Sequence, residues 1–162
     1  MTSLQKITPN LWFDTQAEEA ARFYTSIFED TAIKDMTHYG KEGFEVHGMP
    51  EGTVMTVDFQ LEGQDFVAFN GGPQFTFNEA ISFVVTCDTQ VDIDRYWDAL
   101  SEGGDEAAQA CGWLKDKFGV SWQIVPSGMN ELFHSPDKEK AGRAMTAMLQ
   151  MKKIDIEALR QA

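Results

Sequence analysis

A chain of 162 residues, 43% hydrophobic and 12% aromatic, reads as one globular domain able to bury a sizeable core, which excludes a disordered or fibrous protein. Its 26 acidic residues outnumber 13 basic ones, and a net charge of −13 repels phosphate backbones and anionic membranes, so no nucleic acid and no membrane partner is expected. No apolar run is long enough to span a bilayer, no signal-peptide pattern opens the chain, and Cys87 and Cys111 form no metal or redox spacing, so a soluble cytoplasmic protein is expected.

Ile7 to Phe13 is a short apolar run ended by Asp14-Thr15-Gln16. Helical spacing follows: Ala17, Ala20, Ala21, Tyr24, Ile27 and Phe28 make one apolar stripe, and Thr15 with Glu18 fits a capping box that sets where the helix begins. Ala32 to Tyr39 is a predicted strand, followed by a loop rich in glycine and charge from Gly40 to Gly52. Val54 to Leu61 alternates as a strand, Glu62-Gly63-Gln64 turns, Asp65 to Asn70 returns, and Gly71-Gly72-Pro73 breaks the pattern.

The next segment repeats the first. Ile81 to Cys87 is a strand ended by Asp88-Thr89-Gln90, the tripeptide of positions 14–16 displaced by 74 residues. Thr89 with Asp92 repeats the cap, Ile93, Tyr96, Trp97 and Leu100 carry a second helical stripe, and Gly103-Gly104 stops it. Three more strands are predicted: Asp105 to Ala110, Cys111 to Lys115, and Val120 to Val125. The last two form a hairpin turned by Asp116-Lys117-Phe118-Gly119 and ended by Pro126. On its second strand Gln123 shares a face with Ser121 and Val125, while Trp122 and Ile124 point the other way. A polar group so placed has either a neighbouring backbone partner or a ligand to hold.

The order strand, helix, two or three strands, met twice, predicts an α+β domain spanning 1–126, built of modules at about 1–74 and 75–126. Each sheet would carry its helix outside and line a cleft inside. Residues 127–162 read as a C-terminal helical extension: Ser135-Pro136 as a cap with proline at the first helical position, then a stripe of Ala141, Ala144, Met145, Met148 and Leu149, and a last short helix from Asp155 to Arg160. The methionine stripe reads as packing against the body or a second subunit.

The duplicated βαβββ order, Phe23-Tyr24, Asn70-Gly71-Gly72-Pro73, Cys111-Gly112-Trp113 and Asp116 to Gln123 together resemble the PhnB-like branch of the vicinal oxygen chelate superfamily (glyoxalase, bleomycin resistance and dioxygenase proteins). The resemblance runs from about Ile7 to Pro126. It implies paired βαβββ modules, a cleft lined by eight strands and a homodimer, and the branch often carries the label demethylubiquinone methyltransferase. In metal-dependent relatives the ligands are histidines and glutamates on the first, fourth, fifth and eighth strands. By that resemblance the matching positions here are Pro9 or Asn10, Phe66 or Ala68, Ser82 and Gln123, none of them a histidine or carboxylate.

A divalent catalytic metal needs anionic or imidazole ligands, and glutamine offers a neutral carbonyl, so the expected metal is none and the expected cofactors are none. Glu42, Glu45 and His47 form a weaker alternative ion site in a loop, and His38 and His134 read as exposed. For S-adenosylmethionine the one glycine-rich candidate, Gly71-Gly72-Pro73, reads as a loop, and Cys111, with aromatic neighbours and no nearby histidine, reads as a buried inert thiol. Asp116 and Lys117 read as a turn, with anchoring of a polar substrate at the cleft mouth as their alternative.

Two functional readings remain open. In one the protein binds a small, cationic or planar molecule in an aromatic cleft, with Trp12, Phe83, Trp113 and Trp122 as stacking area and Gln123 and Asn70 as orienting groups. Only one of Trp122 and Gln123 can face that cleft. In the other it is a superfamily enzyme whose acid–base work falls to Asp58 or Asp65. The aromatics equally suit plain core filling.

Overall fold

In the computed structural model, which describes residues 4–162, each copy of the repeat lays a helix on one face of its own sheet, and the chain divides into two units after Thr76. The first unit runs β1 (Asn10–Phe13), α1 (Ala17–Thr25), β2 (Ala32–His38), a one-turn helix α2 (Phe44–His47), β3 (Val54–Leu61) and β4 (Gln64–Asn70). Its strands lie in the order β1-β4-β3-β2, with β1 parallel to β4 and the other pairs antiparallel. Strict alternation sends Val57, Phe59, Leu61, Phe66 and Ala68 to one face, where they bury against Ala17, Ala20, Ala21 and Tyr24 of α1. Alanine on that stripe lets the helix lie close to the sheet. Tyr24 stacks on Phe59, and Phe59 on Phe66. The predicted 40–52 loop contains α2, bounded by Gly43 and Gly48, both left-handed (φ 80° and 66°), which start and stop a single turn.

The second unit runs β5 (Ser82–Cys87), α3 (Gln90–Ser101), β6 (Trp113–Lys115), β7 (Ser121–Pro126), then α4 (Met129–Phe133), α5 (Lys138–Met148) and α6 (Ile156–Gln161). Its sheet has three strands in the order β5-β7-β6, with β5 parallel to β7. Leu114, Trp122 and Ile124 bury on the α3 side with Ile93, Trp97 and Leu100. The strand predicted at 105–110 does not form, so among the described residues the sheets hold seven strands, not the eight that the resemblance implies. Local bonds take its backbone instead. Asp105 accepts from the Ala107 amide through its side chain and from the Ala108 amide through its carbonyl, and the Gln109 amide bonds Glu106 in a 3₁₀ turn. Cys111 and Gly112 then sit at φ 55° and 86°, which ends any extended run.

The two copies of Asp-Thr-Gln cap their helices differently. In the second, Thr89 is the N-cap and its hydroxyl accepts from the Asp92 amide at 3.2 Å, as expected. In the first, the N-cap is Gln16 and no side chain of the tripeptide bonds the helix; the Ala17 amide donates instead to Asn70 Oδ1 at 2.8 Å. The Thr15–Glu18 capping box is therefore absent. The cause is the neighbouring strand end. Phe13 pairs with Asn70, whereas its counterpart Cys87 pairs with Pro126, which has no group to lend.

The extension returns to the second unit. The Cys111 and Gly112 amides donate to the Met151 and Lys152 carbonyls, each at 2.8 Å. Gln90 brackets the next residues, donating to the Ile154 carbonyl and accepting from the Ile156 amide, while Ile154 is fully buried. A Cβ on Gly112 would press on the Ile124 carbonyl and on Ile154, both at 3.1 Å, so glycine is needed for space as well as for its backbone angle. The N-cap of α5 is Asp137, not Ser135, whose hydroxyl only accepts from the Asp137 amide, and α6 is capped by Asp155. Among the described residues no helix is long and apolar enough to cross a membrane.

Candidate functional site

The hairpin of β6 and β7 is held by one buried carboxylate. Asp116, 2% exposed, accepts from the Phe118 amide at 2.9 Å, the Val120 amide at 3.1 Å and the Trp122 indole at 2.9 Å. Gly119, at φ 91°, closes the turn, its amide donating to the Asp116 carbonyl. These bonds fix the conformation of the segment from Asp116 to Trp122. Asp116 is turned inward, so the reading that puts it at a cleft mouth is corrected. Trp122, 3% exposed and tied to Asp116, packs on the α3 side with Phe83, ring centroids 5.3 Å apart.

That orientation decides between Trp122 and Gln123: the glutamine takes the opposite, helix-free face. Registration there makes two rows across β5, β7 and β6. One row is Ser82, Ser121 and Lys115; the other is Val84, Gln123 and Trp113. Gln123 Nε2 donates to Ser82 Oγ at 2.9 Å. Gln123 Oε1 meets no hydrogen-bond donor among the described residues, and Ser121 Oγ, in a residue 1% exposed, has no hydrogen-bond partner either. Val84 is 56% exposed and Trp113 is half-buried. Lys115 Nζ pairs with Glu79, and that bond holds the Glu79 carboxyl below its ordinary range. Ser121 and Lys115 were not among the expected site residues, although counting by twos from Gln123 and across the hairpin reaches both.

In the first unit the expected residues have other work. Trp12 lies on the helix-free face of its sheet, opposite Phe69 in register, and its indole donates to the Gly72 carbonyl at 2.9 Å. It meets Phe69 and Phe75 edge-on at centroid distances of 4.9 and 5.0 Å. Asn70, 2% exposed, spends both ends of its carboxamide on backbone: Oδ1 accepts from Ala17, and Nδ2 donates to the Val54 carbonyl at 3.0 Å. It clamps α1 to β3 and is buried there. Asp58 is exposed, directly across from Asp35, and Asp65 pairs with Lys34 at 2.6 Å.

The residues do not fit a divalent metal. Phe66 and Ala68 face α1, Asn10 is exposed at the start of β1, and Ser82 and Gln123 are neutral and bonded to each other beside an ammonium group. Among the described residues no three His, Cys, Asp or Glu side chains gather as a metal-binding group; His47, in α2, instead accepts from the Met49 amide at Nδ1. Gly71-Gly72 does not fit a cofactor cradle. A Cβ on Gly71 would strike the Trp12 and Phe69 rings, so that glycine serves ring packing, and no helix follows it directly. Cys87 is the buried thiol, pushed up to about 11 chiefly by desolvation, whereas Cys111 is half-buried.

Residues 5–125 match the family model described as 3-demethylubiquinone-9 3-methyltransferase. Among solved structures, a Bacillus cereus protein described as a 3-demethylubiquinone-9 3-methyltransferase, PhnB protein, is 38% identical, with 76% of this chain and 100% of that one covered and a TM-score of 0.66. A Pseudomonas aeruginosa protein is 22% identical, covering 76% of this chain and 98% of its own at a TM-score of 0.58. The fosfomycin resistance protein FosX of Mesorhizobium loti is 13% identical, covering 76% and 91% at 0.50. The last two are similar in fold alone. No curated protein matches the chain.

Proposed function

We propose, from the premise that this chain belongs to the 3-demethylubiquinone-9 3-methyltransferase (PhnB-like) family and has the glyoxalase/bleomycin resistance fold, that it binds a small planar molecule on the helix-free face of its second sheet, without a resident metal. The observation that carries this reading is unused hydrogen-bonding capacity on that face, Ser121 Oγ and Gln123 Oε1, beside the half-buried ring of Trp113. A buried hydroxyl without a partner destabilises by about 1–3 kcal/mol, a loss that a ligand's polar group can recover. Trp113 and Val84 supply apolar area, and the Gln123–Ser82 bond holds the carboxamide in one orientation. The donor set, two hydroxyls, a carboxamide and an ion-paired ammonium, suits recognition of a carbonyl-bearing or phenolic ring. Nothing in it suits methyl transfer.

The test is a fluorine-NMR screen of planar aromatic fragments against the wild type, Gln123→Ala and Trp113→Ala. Saturable binding by ring compounds carrying a carbonyl or phenol, weakened about tenfold by either substitution, is the expected result. Fragments that bind all three proteins alike would overturn the assignment. Elemental analysis provides the other arm: one stoichiometric transition ion per chain would end the metal-free reading.

A further inference from the structure

The family match ends at residue 125, and the segment beyond it lines most of a cavity that Asp88 completes. Its volume of about 310 Å³ falls at the lower end of small-ligand sites. The apolar side is Met129 and Leu132 with Ile156 and Leu159, from α4 and α6. Four charged residues complete it: Asp88, from the repeated tripeptide, with Glu131, Lys140 and Arg160. None of these four side chains forms an ion pair or hydrogen bond with another described residue. Elsewhere in the chain Arg22, Lys34, Arg95, Lys115 and Lys153 hold acidic partners. Two positive and two negative groups surround one cavity without pairing across it.

We propose that this cavity binds a small zwitterion with an apolar body, of the free α-amino acid class. Its ammonium meets Asp88 and Glu131, its carboxylate meets Lys140 and Arg160, and its side chain lies on Met129, Leu132 and Ile156. Such a ligand supplies partners for both signs of charge at once, whereas a simple anion or cation meets only one of them. The site is separate from the β5–β7–β6 face, since none of its lining residues is Ser82, Ser121 or Gln123.

Met129 is the one methionine lining the cavity, so the full-length protein labelled with carbon-13 at the methionine methyl groups reports binding there directly. The probes are L-phenylalanine, N-acetyl-L-phenylalanine, which lacks the ammonium, and phenethylamine, which lacks the carboxylate. L-phenylalanine is expected to shift the Met129 methyl signal saturably, with each analogue binding about tenfold more weakly. Lys140→Gln with Arg160→Gln should reduce L-phenylalanine to the level of phenethylamine, and Asp88→Asn with Glu131→Gln to that of the N-acetyl compound. All four side chains are exposed, and unchanged thermal unfolding of the variants confirms that charge alone was altered. Absence of a saturable Met129 shift, analogues as tight as the amino acid, or indifference of both charge variants overturns the proposal. The Met129 response should persist in Gln123→Ala, and its loss there would overturn the assignment to a separate site, so this test and the sheet-face test fail independently.

Discussion

Replacing Asp116 by asparagine tests the claim that one carboxylate organises the β6–β7 hairpin. In a place only 2% exposed the carboxylate accepts from two turn amides through Oδ1 and from Trp122 through Oδ2. Asparagine keeps the two Oδ1 bonds but turns an amide N–H₂ toward the indole N–H, donor against donor. One charge-assisted bond is lost and two buried donors are left facing each other, a destabilisation of about 2 kcal/mol. Alanine strands all three donors, and relief of the carboxylate's own desolvation offsets part of that, leaving about 4 kcal/mol, a large share of a typical domain's stability. The measurement is urea unfolding followed by far-ultraviolet circular dichroism, because tryptophan emission changes with the second site. Trp122→Phe completes the cycle. In the Asp116→Asn background it removes the offending donor, so the double variant should be more stable than the sum of the single losses predicts, by about 1 kcal/mol. Additive losses, or an Asp116→Asn variant within about 0.5 kcal/mol of wild type, would refute the reasoning.

The repeated tripeptide gives a paired test: Thr89→Ala should lose about 1 kcal/mol through the cap, while Thr15→Ala, whose helix is capped from Asn70, should stay within about 0.5 kcal/mol by the same unfolding assay. The Cys87 thiol ionises near its ordinary value of 9.0 when unfolded and at about 11 when buried. Between those values the native state holds the extra proton, so stability present below pH 9 should fall by about 2 kcal/mol as pH rises toward 11. The loss should shrink in Cys87→Ala when unfolding midpoints are compared at pH 8 and pH 10.5; an equal loss in both proteins would assign it elsewhere.

Much of this architecture is local chemistry written along the chain. The alanine and tyrosine stripe of α1, the alternation of Val54 to Leu61, and the turn Asp116 to Gly119 each settle their own conformation within a few residues, and period two on β7 was enough to separate Trp122 from Gln123. The superfamily was legible for the same reason, since its most specific segment is a turn whose residues bond one another. Other decisions needed partners far away in sequence. Whether Thr15 or Asn70 caps α1 depends on what β4 brings beside it, 53 positions on from Ala17, and that same contact ties the Asn70 carboxamide to the helix. Whether residues 105–110 extend a sheet turned on a side-chain bond that outcompetes an edge strand. Trp122 could be assigned a face only once Asp116 was seen to hold it, and Ser121 became a candidate site residue only when nothing reached its hydroxyl. Composition and period thus determine which segments form strands and helices, because those choices depend on neighbours in the chain. The use of each polar group depends on what folding sets within hydrogen-bond reach of it, and that was decided by the tertiary structure alone.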